Sequence, residues 1–427
     1  MATTFPYSTA VLGVPFHNVT IDEAVNFVEE KIEEGGFHQV ATANVDFLMH
    51  SIRDKGLQEI LCSCDLVVPD GMPILWAAKL LGVSLRERVC GIDLVPKLAE
   101  LCVRRSFSLF LLGASDEVSA RAADRLTRSF PGLDIAGRYS PPARPLEEMN
   151  HEEILQRIAA AKPDILLVAL GNPKQEKWIA MNRQHLNVPV CIGIGGSLDL
   201  IAGSLARAPR WMQHTGLEWL YRVSQEPKRL AKRYLRDITG FAWHMPSNLF
   251  ATVLQPRHKT RPGIFLDHVD TTDVISVYGD FTGSIVKEFQ TLSSTSVANG
   301  MNLVLNLAET SYLGADALGA MIQISATMRQ SHRELWLAAM RPHLLRMLHG
   351  ARLNTYFMIT SSVDDAIYRS ERAEQRFYAR SNTVRVPSNT VQIRFEFLQD
   401  ICQKIAINPV VGHRAASGVS TGYALRT

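Results

Sequence analysis

The segment ILLVALGNPKQEKW, residues 165–178, runs from six apolar residues directly into a glycine, an asparagine and a proline. A continuous apolar run of this length is typical of a strand buried on both faces, and Pro173 suits the first turn of a helix. Strand-to-helix units of this kind build parallel sheets covered by helices, and their ligands bind where the strands end. The segment therefore predicts an α/β fold.

The same alternation extends over residues 38–200. Short apolar runs predict strands at 39–43, 66–68, 109–112, 165–170 and 190–194. Between them, apolar residues at helical spacing predict helices at 72–81, 93–105, 116–128, 147–161 and 173–185. We expect a Rossmann-like parallel sheet with helices on both faces, in a first domain that covers residues 1–245.

The composition changes after this region. Residues 207–237 contain eight Lys or Arg residues against three acidic ones, with aromatic residues between them, and predict a helical basic appendage. Prolines and charged residues predict a linker at 246–262. In residues 263–371, short apolar runs again alternate with helical stretches, which predicts a small second α/β domain. The tail, 372–427, is mostly polar, and we expect it to be partly disordered, its last fifteen residues above all.

The bulk properties exclude several classes of protein. The net charge of +3 over 427 residues is not that of a general nucleic-acid binder. Six cysteines without a CxxC pair favour reduced thiols and the cytoplasm. The N-terminus lacks the basic and apolar regions of a secretory signal, and no run reaches the roughly 18 apolar residues of a membrane span. We therefore expect any membrane contact to be peripheral.

Two glycine-containing turns at predicted strand ends are candidates for ligand binding. Gly171 allows close backbone approach, and the free N–H groups after Pro173 form an anion site. Lys174 adds a positive charge there, while Gln175 and Glu176 can bond sugar hydroxyls. The second turn, residues 193–199, is either a ligand-binding turn or an ordinary tight turn. It is not the GxGxxG fingerprint of dinucleotide binding.

A carboxylate at another predicted strand end is a candidate base. Asp70 follows the strand 66–68 and acts either as a general base or as a helix cap. Thr42 and Asn44 end the preceding strand and face the same crevice. The chain has no Asp-x-Asp pair and no histidines at metal-ligand spacing, so a diphosphate leaving group would need basic side chains. Residues 207–237 offer them, although this segment also suits a membrane surface, nucleic acid or a solvated helix face.

A set of motifs from about Val11 to about Arg236 resembles the WecG/TagA/CpsF glycosyltransferases (glycosyltransferase family 26). The motifs are Thr42-x-Asn44, Pro-Asp-Gly at 69–71, Glu87-Arg88-x-x-Gly91-x-Asp93, Leu-Gly-Asn-Pro-Lys-Gln-Glu-Lys-Trp at 170–178, Gly-Gly-Ser-Leu-Asp at 195–199, Ala-Gly at 202–203, Arg-Ala-Pro at 207–209, Glu-Trp-Leu-Tyr-Arg at 218–222 and Glu226-Pro227-x-Arg229. The resemblance implies an inverting, metal-independent transfer from a UDP-sugar to a polyprenyl-diphosphate-linked saccharide, during surface polysaccharide synthesis at the cytoplasmic face of the membrane. It implies no cofactor and no nucleic-acid partner.

The resemblance also assigns roles to residues. Asp70 matches the family's proposed general base, and Thr42, Asn44 and Arg88 match acceptor-side positions. Gln175 and Glu176 match the family's donor-side motif. We further predict donor contacts for Gly113, Gly171, Pro173, Lys174, Gly195, Gly196 and Asp199. In the appendage, the arginines implied to contact the diphosphate near the membrane are Arg207, Arg210, Arg222, Arg229 and Arg233.

Residues 263–371 resemble a STAS domain of the anti-sigma-factor-antagonist type, through the strand–loop–helix pattern at 303–320. The phosphorylatable serine of that pattern is replaced by Ala315, and Asp316 adds a negative charge one residue later. We therefore expect a docking module that no kinase operates, that contacts a protein partner, and whose removal leaves the first domain active.

Two other functions remain open on the sequence. The chain could be a non-enzymatic scaffold that binds a nucleotide or a lipid-linked sugar, or a nicotinamide-dependent oxidoreductase. The absence of GxGxxG argues against the oxidoreductase. Transfer or hydrolysis of a UDP-sugar by the pure protein separates enzyme from scaffold. The sequence does not name the donor sugar, the acceptor glycan or the oligomeric state.

Overall fold

The computed structural model describes residues 7–253 and 261–383, apart from the side chains of residues 214, 229, 250–253 and 374–383. The predicted disorder of the C-terminus lies outside the described residues. In the first part of the chain the strands are β1 (Ser8–Val11), β2 (Val14–His17), β3 (His38–Ala43), β4 (Leu66–Pro69), β5 (Ser108–Gly113), β6 (Asp134–Tyr139), β7 (Ile165–Ala169) and β8 (Val190–Gly193). In the second part they are β9 (Gly263–Val269), β10 (Thr272–Phe281), β11 (Asn302–Asn306), β12 (Thr310–Leu313), β13 (Leu335–Ala338) and β14 (Met358–Thr360).

The helices follow the same division. In the first part they are α1 (Ile21–Glu34), α2 (Val45–Ser51), α3 (Lys55–Ser63), α4 (Met72–Leu80), α5 (Gly91–Arg105), α6 (Asp116–Ser129), α7 (His151–Ala161), α8 (Lys174–Met181), α9 (Ser197–Ile201), α10 (Arg210–His214), α11 (Glu218–Gln225) and α12 (Pro227–Val253). In the second part they are α13 (Ser284–Ala298), α14 (Ala315–Gln330), α15 (Pro342–Gly350) and α16 (Val363–Thr383).

The predicted parallel sheet is confirmed. Its strand order is β4-β3-β8-β7-β5-β6, and every pair is parallel. Successive side chains of a strand point to opposite faces, and the core divides accordingly. Leu109 and Leu111 pack in the cluster beneath α1, α5 and α6, whereas Phe110 and Leu112 pack with Trp178 on the other face. Burial on both faces explains why the strands read as continuous apolar runs.

The strand order reverses beside β3. On one side of β3 lies β4, the next strand along the chain. On its other side lies β8, which comes last of the six strands in the sequence. Such a reversal opens a crevice at the carboxyl ends of the strands. The Oγ of Thr42 donates a hydrogen bond of 2.8 Å to the carbonyl oxygen of Gly193 and ties β3 to β8 at this point.

An N-terminal hairpin that the apolar pattern did not predict precedes the sheet. β1 and β2 pair antiparallel through a two-residue turn at Leu12 and Gly13, whose φ values of 49° and 80° are those of a type I′ turn. All eight strand residues are buried, so the alternation that marks a half-exposed hairpin is missing. The hairpin contacts α14 of the second domain, and Ala10 belongs to the second domain's apolar core.

The predicted second α/β domain is also confirmed. Its sheet has the order β12-β10-β11-β13-β14, with β9 antiparallel to β10. The loop before α14 leads into Asp316, the residue expected to add a negative charge there. Asp316 is 1% exposed, and its carboxylate accepts hydrogen bonds from Thr282 Oγ1 (2.8 Å) and the N–H of Gly283 (2.7 Å). It fixes the start of α13 and does not present a free surface charge.

Two predicted boundaries also need correction. Helix α12 continues through Pro246 to Val253, so the first eight residues of the predicted linker are helical. Pro246 is exposed, while Met245 and Asn248 are buried, and tertiary packing of α12 therefore outweighs the hydrogen bond that the proline removes. The rest of the predicted linker, 254–260, lies outside the described residues. Helix α16 runs from Val363 to Thr383 and crosses the predicted start of the tail at 372.

Candidate active site

A cavity of about 360 Å³ lies at the carboxyl ends of β3 and β4, beneath the basic appendage. Side chains from α2, α4, the loop before α5, α11 and α12 surround it. The residues that line it include Asn44, Asp46, Asp70, Arg88, Glu218, Trp219, Arg222, Arg233, Tyr234 and Asp237. The structure thus brings together the predicted base, two of the three predicted acceptor-side residues and two of the predicted appendage arginines. Thr42, the third acceptor-side residue, is instead buried at the β3–β8 junction.

Asp70 occupies the turn between β4 and α4. Its N–H donates to the carbonyl oxygen of Ala43 (2.9 Å), and Gly71, with φ 140°, carries the chain from strand to helix. Burial raises the pKa of Asp70 to about 6, against the positive charges of Arg222 and Arg88, which lower it. The sequence left two roles open. Gly71, not Asp70, is the residue before α4, and no side chain caps that helix. Asp70 therefore does not cap α4, and its role as a base stays a prediction.

Arg88 connects the sheet domain to the appendage. Its guanidinium donates to Glu218 Oε2 at 2.6 Å, and Glu218 also lies 3.7 Å from Arg222. Arg88 is further 3.6 Å from Asp93. Burial raises the pKa of Asp93, but hydrogen bonds from Arg207 and Cys90 hold the pKa below its usual value. These acids anchor arginines that would otherwise repel one another above Asp70.

The predicted appendage arginines fall into three groups. Arg222 and Arg233 line the cavity. Arg207 is bound to Asp93 (2.6 Å) outside it, and Arg210 is exposed at the start of α10. The side chain of Arg229 lies outside the described residues. The guanidinium of Arg233 lies 5.1 Å from the ring centre of Tyr234, which in turn contacts Trp219. Two aromatic residues of the appendage, Trp219 and Tyr234, thus line the cavity together.

The predicted donor residues Gln175 and Glu176 are buried at the start of α8. Gln175 Oε1 accepts a hydrogen bond from the N–H of Gly195 (3.1 Å), and Gln175 Nε2 donates to Glu176 Oε1 (2.8 Å). Burial raises the pKa of Glu176 to about 8. A Cβ atom on Gly193 would lie 2.6 Å from Gln175 Nε2, so the pair supports the glycine turn after β8 from behind.

The other predicted donor residues lie along the ends of β5, β7 and β8. Gly113, Gly171 and Gly195 all have positive φ values of 51–102°, which side chains disfavour. Pro173 directly precedes α8. Lys174 Nζ donates to the carbonyl oxygen of Arg144 (2.6 Å). Gly196 precedes α9, and Asp199 lies on it.

Several residues of the site were not predicted as site residues: Asp46, Glu218, Trp219, Tyr234 and Asp237 all line the cavity. Asp46 stands two positions after Asn44, and Glu218 opens the Glu-Trp-Leu-Tyr-Arg motif, so proximity to recognised motifs was the available signal. No such signal existed for Asp237, because only the path of helix α12 brings this residue to the cavity.

The described ranges hold neither a metal-binding cluster nor a membrane-spanning helix. No group of three or more His, Cys, Asp or Glu side chains in residues 7–253 and 261–383 is arranged to hold a metal ion. Within the same part of the chain, no helix combines the length and the apolar character needed to cross a membrane.

Comparison with known families and proteins gave matches over both domains. Residues 9–254 match the glycosyl transferase WecG/TagA/CpsF family, and residues 264–360 match the family described as Mlab, STAS domain. An N-acetylglucosaminyldiphosphoundecaprenol N-acetyl-beta-D-mannosaminyltransferase of Bacillus spizizenii is 33% identical over 190 residues, which are 44% of this chain and 72% of the relative. Proteins of the same name are 30% identical in Bacillus subtilis (51% of this chain, 83% of the relative) and 28% identical in Staphylococcus aureus (55% and 90%).

Two solved structures are similar to part of the chain. An anti-sigma factor antagonist from Mycobacterium paratuberculosis is 22% identical and covers 26% of this chain and 95% of its own, with a TM-score of 0.23. The anti-sigma factor antagonist SpoIIAA in its unphosphorylated form is 18% identical and covers 25% and 95%, with a TM-score of 0.24.

Proposed function

Because the chain belongs to the WecG/TagA/CpsF family of glycosyl transferases, we propose that its first domain transfers a sugar from a UDP-sugar to a polyprenyl-diphosphate-linked saccharide. The observation that carries the proposal is the pairing of Asp70 with Arg88 and Arg222 in one cavity. A base for the acceptor hydroxyl and cations for the departing diphosphate are what this displacement requires.

The proposed reaction is a single displacement with inversion. The acceptor hydroxyl oxygen bonds to the anomeric carbon while the bond from that carbon to the UDP oxygen breaks. The hydroxyl proton passes to Asp70, and the electron pair leaves with UDP. Arg222 and Arg233 stabilise the charge that develops on the diphosphate. A pKa of about 6 leaves Asp70 ionised, and thus able to accept the proton, at neutral pH.

The similar enzymes suggest the substrates. Their names give N-acetylmannosamine as the transferred sugar and an undecaprenyl diphosphate carrying N-acetylglucosamine as the acceptor. We propose an N-acetylhexosamine donor of this kind for the present chain. We also expect transfer without an added divalent ion, since the cavity offers arginines for the diphosphate.

The appendage suggests where the acceptor is met. Large apolar side chains are exposed along it and along the continuation of α12 beyond it, among them Trp211 (61%), Leu235 (66%) and Trp243 (80%), beside basic residues. Aromatic and basic side chains together favour the interface of an anionic membrane. We place the enzyme peripherally on the cytoplasmic face of the membrane, with this surface toward the lipid-linked acceptor.

The test is a panel of UDP-sugars offered with a short-chain polyprenyl-diphosphate N-acetylglucosamine, with and without EDTA, and with products identified by mass spectrometry. The proposal expects one N-acetylhexosamine to be added with inverted anomeric configuration, and equal rates with EDTA. Binding of UDP-sugars without transfer to any acceptor would favour the non-enzymatic scaffold instead.

A further inference from the structure

Asp46, at the start of α2, contacts two regions that the proposed reaction needs. Its Oδ2 accepts a hydrogen bond of 2.9 Å from Asn172 Nδ2, in the loop between β7 and α8. Its Oδ1 lies 3.3 Å from Arg236 Nη2, on appendage helix α12. We propose that Asp46 is a positioning residue that couples the donor-side loop to the appendage, so that each holds the other in place. This inference rests on the proposed function.

On the donor side, Asp46 contacts the loop between β7 and α8 through Asn172. Asn172 stands between Gly171 and Pro173, at the carboxyl end of β7, where the donor diphosphate is expected. Its amide reaches across the crevice to α2, a segment 126 residues earlier in the chain. The position of this loop is thereby tied to α2.

The appendage contact involves a buried group as well as an exposed one. Arg236 also binds the neighbouring Asp237 (3.2 Å), whose side chain is only 2% exposed. Burial, followed by the charge of Asp46, raises the pKa of Asp237 to about 6. His50 Nε2 lies 3.5 Å from Asp46 Oδ1, the oxygen that Arg236 also contacts. A long helix with an exposed basic surface is thus held at one point by a nearly buried cluster of charges.

Asp46 is also linked to the candidate base. Its N–H donates to Asn44 Oδ1 (3.1 Å), and the Asn44 side chain is hydrogen-bonded to Asp70. A change at Asp46 is therefore expected to reach the donor loop, the appendage and the orientation of Asn44 together.

Only a carboxylate satisfies both contacts. Its Oδ2 accepts a bond from Asn172, and its Oδ1 accepts one from Arg236. The same carboxylate also lies beside His50 and is hydrogen-bonded to the side chain of Asp237. In Asp46→Asn one terminal atom becomes an N–H donor and must face one of these donors, so one contact is lost although shape and volume are unchanged. This makes Asp46→Asn the informative variant.

The experiment is a double-mutant cycle of Asn172→Ala and Arg236→Ala, measured as kcat/KM for the UDP-sugar in the wild-type and the Asp46→Asn backgrounds. Coupling through Asp46 predicts that kcat/KM falls about tenfold in each single variant. In the double variant it should fall little further than in the worse single variant. In the Asp46→Asn background either alanine is expected to cost less than about twofold. Independent, multiplying losses in both backgrounds would overturn the proposal.

A second readout does not require transfer. UDP alone is expected to protect the appendage from limited proteolysis in the wild type, and this protection should vanish in Asp46→Asn. Lys232→Ala is the matched control, since Lys232 is exposed on the same helix one turn from Arg236, and it should keep the protection. If no UDP-sugar is transferred but UDP protects as described, the proposed function fails and the coupling stands. If transfer occurs and Asp46→Asn keeps full protection, the coupling fails alone.

Discussion

The side-chain amide of Gln323, on helix α14 of the second domain, lies 3.2 Å from Nε2 of His17 at the end of the hairpin. The other ring nitrogen of His17, Nδ1, accepts a hydrogen bond from the N–H of Val67 (2.9 Å). Val67 stands three residues before Asp70 on β4. A polar path thus runs from the second domain, through the hairpin, to the strand that ends at the candidate base, and all three residues are buried.

His17 gives this path a dependence on pH. Burial lowers the pKa of His17 to about 4, from 6.5 in the unfolded chain. The unfolded state therefore binds the proton first, and the free energy of unfolding falls as the pH drops from about 6.5 toward 4. When the pH is lowered from 7 to 5, we expect the free energy of unfolding to fall by roughly 2 kcal/mol less in His17→Gln than in the wild type. Urea unfolding at both pH values measures this, and equal losses would place His17 in a solvated environment.

The base predicts a second pH dependence, in catalysis. With a pKa raised to about 6, Asp70 loses its basic form as the pH falls below that value, so kcat/KM should fall on the acid side of pH 6. Asp70→Asn should lower transfer by about 10²–10⁴-fold and leave UDP affinity nearly unchanged. The acid limb should then disappear from any residual activity. Normal turnover in this variant would assign the proton to another group.

The sequence predicted the central sheet well and the position of side chains around it less well. Strands such as 165–170 were evident because burial on both faces leaves a continuous apolar run. The hairpin and the continuation of α12 through residues 246–253 were not evident, since both depend on contacts with distant segments: Ala10 with the second domain, Met245 with α2 and its neighbours. The recognised motifs placed Asp70 and Arg88 at the cavity. They could not show that Glu176 points inward or that Asp46 and Asp237 meet, because those facts depend on the path of the chain.

A variant of Glu176 tests whether this residue supports the glycine turn or contacts the donor directly. Its pKa is raised to about 8 by burial, so the folded protein keeps its proton at neutral pH while the unfolded chain loses it near 4.5. That difference lowers stability as the pH rises from about 4.5 to 8. Glu176→Gln removes it and should raise the free energy of unfolding at pH 7 by up to about 3 kcal/mol, with an unchanged KM for the UDP-sugar. A raised KM would restore the direct donor contact implied by the family resemblance.

The exposed apolar side chains of α12 predict that membrane binding can be weakened without loss of transferase activity. Trp243 is 80% exposed and lines no part of the cavity. Trp243→Ser should weaken co-sedimentation with vesicles that contain anionic lipid, since a buried aromatic side chain contributes on the order of 2 kcal/mol to such binding. Transfer to a short-chain soluble acceptor should not change. Equal vesicle binding by wild type and variant would move the membrane contact elsewhere.

The last prediction concerns the second domain, which the sequence suggested could be removed without loss of activity. Helix α14 lies against the hairpin, and Gly319 permits this approach: a Cβ atom there would lie 2.4 Å from the carbonyl oxygen of Ser8. Removing the domain would expose the buried hairpin and Ala10, so we now expect a chain ending at Val253 to be less stable than the full chain.

Gly319→Ala tests the same contact without truncation. Alanine favours a helix by roughly 1 kcal/mol over glycine, so stabilisation is expected wherever there is space for the methyl group. Gly56 in helix α3 is such a place, because a Cβ atom there meets only Asp54 Oδ1, at 3.4 Å. We therefore expect Gly56→Ala to hold or raise the melting temperature. Gly319→Ala should lower it and reduce transfer, because the clash displaces the hairpin, whose His17 is bonded to Val67 on β4. If both variants melt alike and transfer alike, the second domain is a separable module after all, and the hairpin holds β4 without it.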